Sequence, residues 1–545
     1  MKKNYSKLIV IMLVFSMLLS LAGCSKTTDK PNNNNSSDNS TNNNSDKGTE
    51  NSGSEPTYLN IAMDDEPLTL DTTLKTYDAA VFVAQEVFEC LYVYDENYVL
   101  QPMLVENESI SDDGKRIEIN LRQNVKFHDG SEMVAEDVKA SLDRWLQYGT
   151  KAQEIASYID NIEIINDYAI ALNFNSIYST WKDMFSFYSG ACWITPKEIA
   201  EEAGKEALMQ SQYIGTGPYK FVEQQNGRYI KLAKFDEYTS RTEAPSGPAG
   251  AREAIVDELY FHFIIDISTR LNGLKTGEYD YARLLSGDLY ESVSSTSGIV
   301  TTLNSGTTHG FFFLNLRSEL LKDNDKMSQA ILMALSMDEI LAAGWGSPEL
   351  WKATASWYPE GNPYYSLKGT ELYNTGDPEA ARQLAAEAGY NGEKIRILTN
   401  TSYPTFVNAT AVALQQLTAA GFDVEEKRMD GTSLISLRSD ESAWEMFFTH
   451  HKMSPQPFAL NPLNPGYAGW WDTDERFALG NEYLVTMDDY ARYEIWHDIQ
   501  ALTYEQVPVI RIGEWSDYDA YSEKISGLPE QFSLYPHFWG INIDR

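Results

Sequence analysis

Residues 377–427 read DPEAARQLAAEAGYNGEKIRILTNTSYPTFVNATAVALQQLTAAGFDVEEK, and this stretch decides the fold class. Asp377, Pro378 and Glu379 open a helix. An Asp can cap the first amides, proline suits the first helical position because its missing N–H would be unpaired there, and an acidic residue complements the positive end of the macrodipole. The helix runs to Gly389, a residue suited to the turn that ends helices. Lys394–Leu398 then alternates as a strand, Phe406–Ala420 has helical periodicity and stops at Gly421, and Asp423–Lys427 is the next strand. Strand, helix and strand in succession predict α/β architecture.

The pattern continues outward. Tyr58–Met63 reads as a first strand, followed by the polar loop Asp64-Asp65-Glu66-Pro67. Val81–Tyr92 has helical periodicity, and Ile117–Leu121 and Ala169–Phe174 alternate as strands. Between them Val125 to Gly130 turns, and Ala135–Trp145 is a helix with Glu136 and Asp137 in its first turn. About 490 residues carry such patterning, beyond the 250–300 that one hydrophobic core serves, so at least two domains are expected.

The beginning of the chain has a different character. Lys2, Lys3 and Lys7 precede the apolar run Leu8–Ala22. That run falls short of the about 20 residues a membrane span needs and suits the core of a signal peptide. It ends in Leu21-Ala22-Gly23-Cys24, which resembles a bacterial lipobox. The resemblance implies a signal peptide over 1–23, a lipid on the Cys24 sulfur, and residence on the outer face of the cell membrane. From residue 25 to 56 the chain is Asn, Ser, Thr, Asp, Lys and Gly almost throughout, too polar to bury a core. Residues 24–56 are therefore expected to be a lipidated tether reaching on the order of 30 Å.

A formal charge of -36 argues against nucleic acid and against lying flat on an anionic membrane. Besides Cys24 there are Cys90 and Cys192, and spacing leaves open one disulfide or two buried thiols. The 7 histidines form no zinc-like cluster with cysteine, so no metal or cofactor is expected. His450 and His451 are adjacent on an expected strand and should point to opposite faces.

Several segments, in order, resemble one family. Asn124-Val125-Lys126-Phe127-His128-Asp129-Gly130, followed by Ala135-Glu136-Asp137-Val138, is similar to a "GVKFHDG…TAEDV" signature. Gly215-Thr216-Gly217-Pro218-Tyr219-Lys220-Phe221 is similar to a "GTGPYKF" turn. Asp266–Ala282 resembles "DxSTRLxxLxxGEVDYA", and Phe312–Asn315 with Gln329–Ile340 the strand and helix after a first interlobe crossing. On these residues the chain resembles the extracellular solute-binding proteins of ABC importers, in the subfamily of oligopeptide-, dipeptide- and nickel-binding members. The resemblance implies a two-lobed periplasmic-binding-protein-like α/β flytrap with two interlobe crossings, its first lobe enlarged by an extra subdomain. Lobe 1 would take 57–307 plus 507–545, and lobe 2 would take 308–506. The implied function is capture of a peptide or other small solute by a monomer and delivery to a membrane permease, with no enzymatic step and no catalytic residue.

One departure bears on the cargo. In peptide-binding members a strand of the second lobe leads into "W-x-x-D-Y…P…F", whose Asp holds the peptide's amino terminus. Anchored on Pro455 and Phe458, that pattern puts Phe448 at the Trp and His451 at the Asp. No acidic residue lies between Glu445 and Asp472. Another carboxylate, with Asp65 and Glu66 the nearest candidates, would have to hold an amine, or the ligand is not held by one. Thr399, Asn400 and Tyr403 follow a strand and are cleft candidates, since open α/β sheets bind ligands beyond strand ends. His450, Trp470 and Trp471 are further candidates. Oligosaccharide is an alternative cargo, because sugars stack on rings such as those of Trp345, Trp351, Trp470, Trp471 and Trp515. A ligand-presenting surface sensor is an alternative role.

Overall fold

In the computed structural model Asp377 caps the helix Pro378–Glu387, accepting from the amides of Glu379 and Ala380 at 3.1 and 3.0 Å. The residues described are 56–545, apart from 75–76, 187–191, 455–456, 530 and 533–534. The expected signal peptide, Cys24 and the tether to residue 55 lie outside the described residues. Strands Lys394–Asn400 and Asp423–Met429 flank the helix Pro404–Ala419 and pair in parallel, Lys394 opposite Asp423. The α/β expectation therefore holds where it was drawn. Pro404 sets the helix start two residues earlier than Phe406, since it fits the first helical position.

These strands form one edge of a 12-stranded sheet. From that edge the order is Asp423–Met429, Lys394–Asn400, Met446–Lys452, Ile299–Leu314, Val509–Ser522, Tyr281–Leu285, Tyr58–Met63, Glu258–Phe263, Tyr229–Lys234 and Tyr219–Gln225, and two short strands, Trp351–Lys352 and Gln531–Phe532, pair off this path with Val509–Ser522 and Ile299–Leu314. Two long antiparallel strands, Ile299–Leu314 and Val509–Ser522, sit in the middle and belong to both halves. Thr308–Leu314 pairs outward with Met446–Lys452, whereas Tyr518–Tyr521 pairs outward with Tyr281–Leu285. Each half has its own core. One gathers Leu59, Ile61, Phe82, Phe261 and Phe538; the other gathers Phe312, Ile331, Ile397, Phe406 and Phe448. A fully buried large side chain of this kind contributes about 1.5–3 kcal/mol relative to exposure.

A separate four-stranded antiparallel sheet, Val105–Ile110, Arg116–Leu121, Ala169–Phe174 and Ile159–Asn166, packs under the helix Ala135–Tyr148 with its own core around Ile119, Leu142, Trp145 and Leu172. Asp137 accepts from the Val134 amide at 2.8 Å, fixing that helix start.

Two of the family-like segments turn out to be bonded to each other. The His128 amide donates to the Gly215 carbonyl at 3.0 Å, and the His128 ring bridges the Gly215 amide, 3.3 Å from Nδ1, and the Gly217 carbonyl, 3.0 Å from Nε2. Glycine is required at 215 because a Cβ there would lie 2.1 Å from the Val87 carbonyl oxygen. That crowding explains one difference from expectation. The helix anticipated over Val81–Tyr92 is Asp78–Val87. At and just after its end the carbonyls of Val87 and Glu89 accept from Gly217 and Ile194 and not from amides one helical turn on, and Tyr92–Tyr94 becomes a strand. Cys90 and Cys192 are both free and buried.

Candidate functional site

The ladder between the two long strands slips at one place. Asn304 faces Asp517 and Thr308 faces Trp515, so four steps along one strand match two along the other. Such an irregularity ends regular pairing and bends the strands. Beside it lies a cavity of about 1020 Å³. Leu285–Asp288 and Glu291 line it from one half of the sheet; Trp345, Tyr403–Phe406, His450 and Lys452 line it from the other; Trp515–Tyr518 cross between them. Cavities of this size at the junction of two halves are where ligands are commonly held.

Its wall is aromatic. Trp345 and Trp515 stack with centroids 4.0 Å apart and planes 26° apart. Phe406 and His450 stand 6.3 and 6.1 Å from Trp515, and Tyr403 lies 4.7 Å from Phe406 and 5.7 Å from His450. Trp515 can lie where it does because residue 310 is glycine: a Cβ there would come within 2.8 Å of its ring. Burial, helped by the Lys452 charge, lowers the His450 pKa, so the imidazole is neutral at pH 7. Its Nδ1 has no hydrogen-bond partner among the described residues. Lys452 lies 3.7 Å from Asp78, at the start of the helix Asp78–Val87, and 3.8 Å from Asp517 on the long strand Val509–Ser522.

The residues singled out in the sequence divide accordingly. Tyr403 and His450 line the cavity. Phe448, on the same strand face as His450, is fully buried against Phe312 and Phe406, 4.8 Å from each, and backs the wall without lining it. His451 points the other way, toward Phe311, Phe313 and Tyr467, with Asn461 Nδ2 3.2 Å from its Nδ1. Burial, with His450 and Arg438 adding to it, pushes its pKa down to about 3. His451 is thus a neutral group at physiological pH, neither a carboxylate substitute nor a cation.

Thr399 is fully buried, and Asn400 accepts from the Ser402 amide at 3.0 Å, shaping the turn that presents Tyr403. Glu66 is tied to the hairpin at Gly227, accepting its amide at 3.0 Å and the Gln224 side chain at 3.1 Å, and Asp65 accepts from the Glu66 amide at 2.9 Å. Neither lines the cavity. Trp470 lies between Trp444 and the Arg317 guanidinium, 5.8 and 5.2 Å away. Trp471 is buried and donates to Gln506 Oε1 at 2.7 Å. Both are framework of the second half.

Phe406, Lys452, Asp288, Glu291 and Asp517 were not among the sequence candidates, and Trp345 and Trp515 figured there only as possible sugar platforms. They come from five separate segments, so no local pattern joins them.

Comparison with known proteins gives a consistent picture. The family described as bacterial extracellular solute-binding proteins, family 5, middle region, matches residues 99–470. A probable peptide ABC transporter periplasmic-binding protein, y4tO of Sinorhizobium fredii, is 27% identical over 468 residues, covering 82% of this chain and 86% of its own. The glutathione-binding protein GsiB of Pectobacterium atrosepticum is 26% identical over 487 residues, 84% of this chain and 89% of its own. Among solved structures, the ABC transporter substrate-binding protein CtaP of Listeria monocytogenes superposes with a TM-score of 0.76 at 21% identity, covering 89% of this chain and 99% of that one. DppA of Helicobacter pylori in complex with the peptide STSA gives 0.67 at 19% identity, covering 90% and 98%. These structures share the two-lobed fold.

Proposed function

Because the chain belongs to the bacterial extracellular solute-binding proteins of family 5, and is thereby the substrate-binding component of an ABC importer, we propose that it captures a peptide or peptide-like solute between its lobes and hands it to a membrane permease. The observation that carries this reading is the cavity at the ladder break, walled from both halves of the sheet. A pocket divided in that way is completed when the halves approach, and ligand then biases the closed population because it contacts both. No bond is made or broken in this cycle.

Lobe 1 is proposed to comprise 57–307 with 507–545, and lobe 2 to comprise 308–506. The register supports the first crossing, since the slip falls between Asn304 and Thr308, and it favours a second crossing nearer Ser516 than Val507. Lipidation of Cys24 would keep this monomeric trap within its tether's reach of the permease, raising the local concentration for each encounter.

Peptide-like cargo is supported by the names of the relatives, a probable peptide-transport protein and a glutathione-binding protein. The neutral His451 fits a ligand whose amine is not held at that position. Native mass spectrometry of the full-length protein as purified tests the reading. Retained peptide or peptide conjugate is expected; oligosaccharide alone would overturn the cargo assignment. Crosslinking in membranes should recover a permease, and a signalling receptor in its place would overturn the transport role.

A further inference from the structure

The cavity's lining has a chemical bias that the peptide reading does not supply. Its lining carries three carboxylates, Asp288, Glu291 and Asp517, against one ammonium, Lys452. Lys452 already lies near both Asp517 and Asp78, so its charge is answered within the protein. Asp288 accepts from the Ser286 hydroxyl. The rings of Trp345, Trp515, Tyr403 and Phe406 line the same cavity and pack on one another. His450 lines the cavity as well, its Nδ1 buried and without a hydrogen-bond partner among the described residues. An aromatic face attracts a cation through its quadrupole, most strongly where water is excluded, and tryptophan does so best. An anion placed here would meet three carboxylates and the negative faces of the rings.

We propose that this cavity receives a cationic group of the cargo, an ammonium or guanidinium on an aliphatic stem, seated between the aromatic wall and the carboxylates. The proposal rests on the capture function argued above but not on the carrier being a peptide. The stem packs along Trp345, and the charged head reaches Asp288 and Glu291. Lys452 stays paired with Asp517, which prevents it from repelling the incoming charge.

The test is calorimetric titration of the full-length protein, at physiological ionic strength, with short peptides differing only in one side chain: lysine, its neutral analogue norleucine, or glutamate. That residue is moved through each position, and agmatine and cellobiose serve as non-peptide probes. The lysine peptide is expected to bind at least about tenfold tighter than the norleucine peptide at one position. This preference should vanish in Trp345→Ala and in the Asp288→Asn, Glu291→Gln pair, and persist in Glu379→Gln, a distant surface carboxylate. Should Trp345→Ala fail to fold, the carboxylate pair still decides. Equal affinity for norleucine, a preference for glutamate, or a lysine preference untouched by the cavity variants would overturn the proposal and leave the peptide reading intact. Agmatine binding without any peptide binding would keep the cationic site and remove the peptide. Binding of cellobiose alone, or of no probe, would overturn both.

Discussion

The His128 ring is the hinge between two segments far apart in sequence, and it works only when neutral. Nδ1 accepts the Gly215 amide and Nε2 donates to the Gly217 carbonyl, while Phe235 closes over the ring at 5.0 Å. Protonating Nδ1 would set one N–H against another. Burial lowers the pKa to about 4 in spite of the opposing Gly217 carbonyl. In the unfolded chain it returns to about 6.5. A base whose folded pKa is depressed gives stability that is whole above the unfolded pKa and is lost as pH falls towards the folded one. At about 1.4 kcal/mol per unit the full effect is about 3 kcal/mol, and about 2 kcal/mol of it is gone by pH 5. Because His128 is only half-buried, about 1–2 kcal/mol is the expected loss at that pH. The comparison is wild type against His128→Asn, which keeps an acceptor near Nδ1 but does not titrate. Urea unfolding should show the stability gap between them narrowing by that amount from pH 7 to pH 5. The protection of the Gly215 amide against exchange, relative to its intrinsic rate at each pH, should fall over the same range in wild type only. A gap independent of pH, or an imidazole resonance titrating above pH 6, would refute the reasoning.

Other consequences follow from particular contacts. Asp71 and Arg144 form a buried pair at 2.6 Å, and Asp71 also accepts the Leu208 amide at 3.1 Å. Asp71→Ala should therefore cost about 3–5 kcal/mol by stranding the guanidinium, and a loss below 1 kcal/mol in chemical denaturation would count against it. Ser179 donates its amide to the Leu484 carbonyl and its hydroxyl to that of Tyr483, each at 2.9 Å. If these contacts join the proposed lobes, Ser179→Ala removes about 1 kcal/mol and shifts the closed population roughly fivefold towards open. Spin labels on the two lobes would report this, and an unchanged distance distribution would place both segments in one rigid body. Burial pushes the thiols of Cys90 and Cys192 up and leaves both free. Neither should react with a thiol reagent in the native protein, and both should react in denaturant. A protein that stays unreactive after unfolding without reductant would instead hold a disulfide.

Local chemistry carried much of the fold. The Asp377 cap, Pro378 and Gly389 placed one helix within a couple of residues, Tyr58–Met63 was legible as a strand, and period-two alternation placed Ile117–Leu121, one residue short of the observed Arg116–Leu121, and Ala169–Phe174. Where local and tertiary preferences disagreed, tertiary contacts won. The helix expected to reach Tyr92 stops at Val87 because distant amides, those of Gly217 and Ile194, claim the carbonyls at and just after its end. The site was less legible. Tyr403 was visible as a residue following a strand and His450 as one lying on a strand, whereas Trp470 and Trp471, candidates because they are aromatic, have rings spent on Trp444, Arg317 and Gln506.

The sequence by itself determined the class of the molecule. An α/β chain too long for one core and ordered family-like segments need only the nearest neighbours along the chain to be read. Strand alternation likewise settled that His450 and His451 face apart, because successive side chains of a strand leave opposite sides. Only the tertiary structure decided which of the two meets the cavity. That choice depends on a ladder slip between strands more than 200 residues apart in sequence and on the absence of a side chain at Gly310 that lets Trp515 lie over it. The aromatic wall and its carboxylates are likewise products of packing, since the segments that supply them touch only after the two long strands have paired.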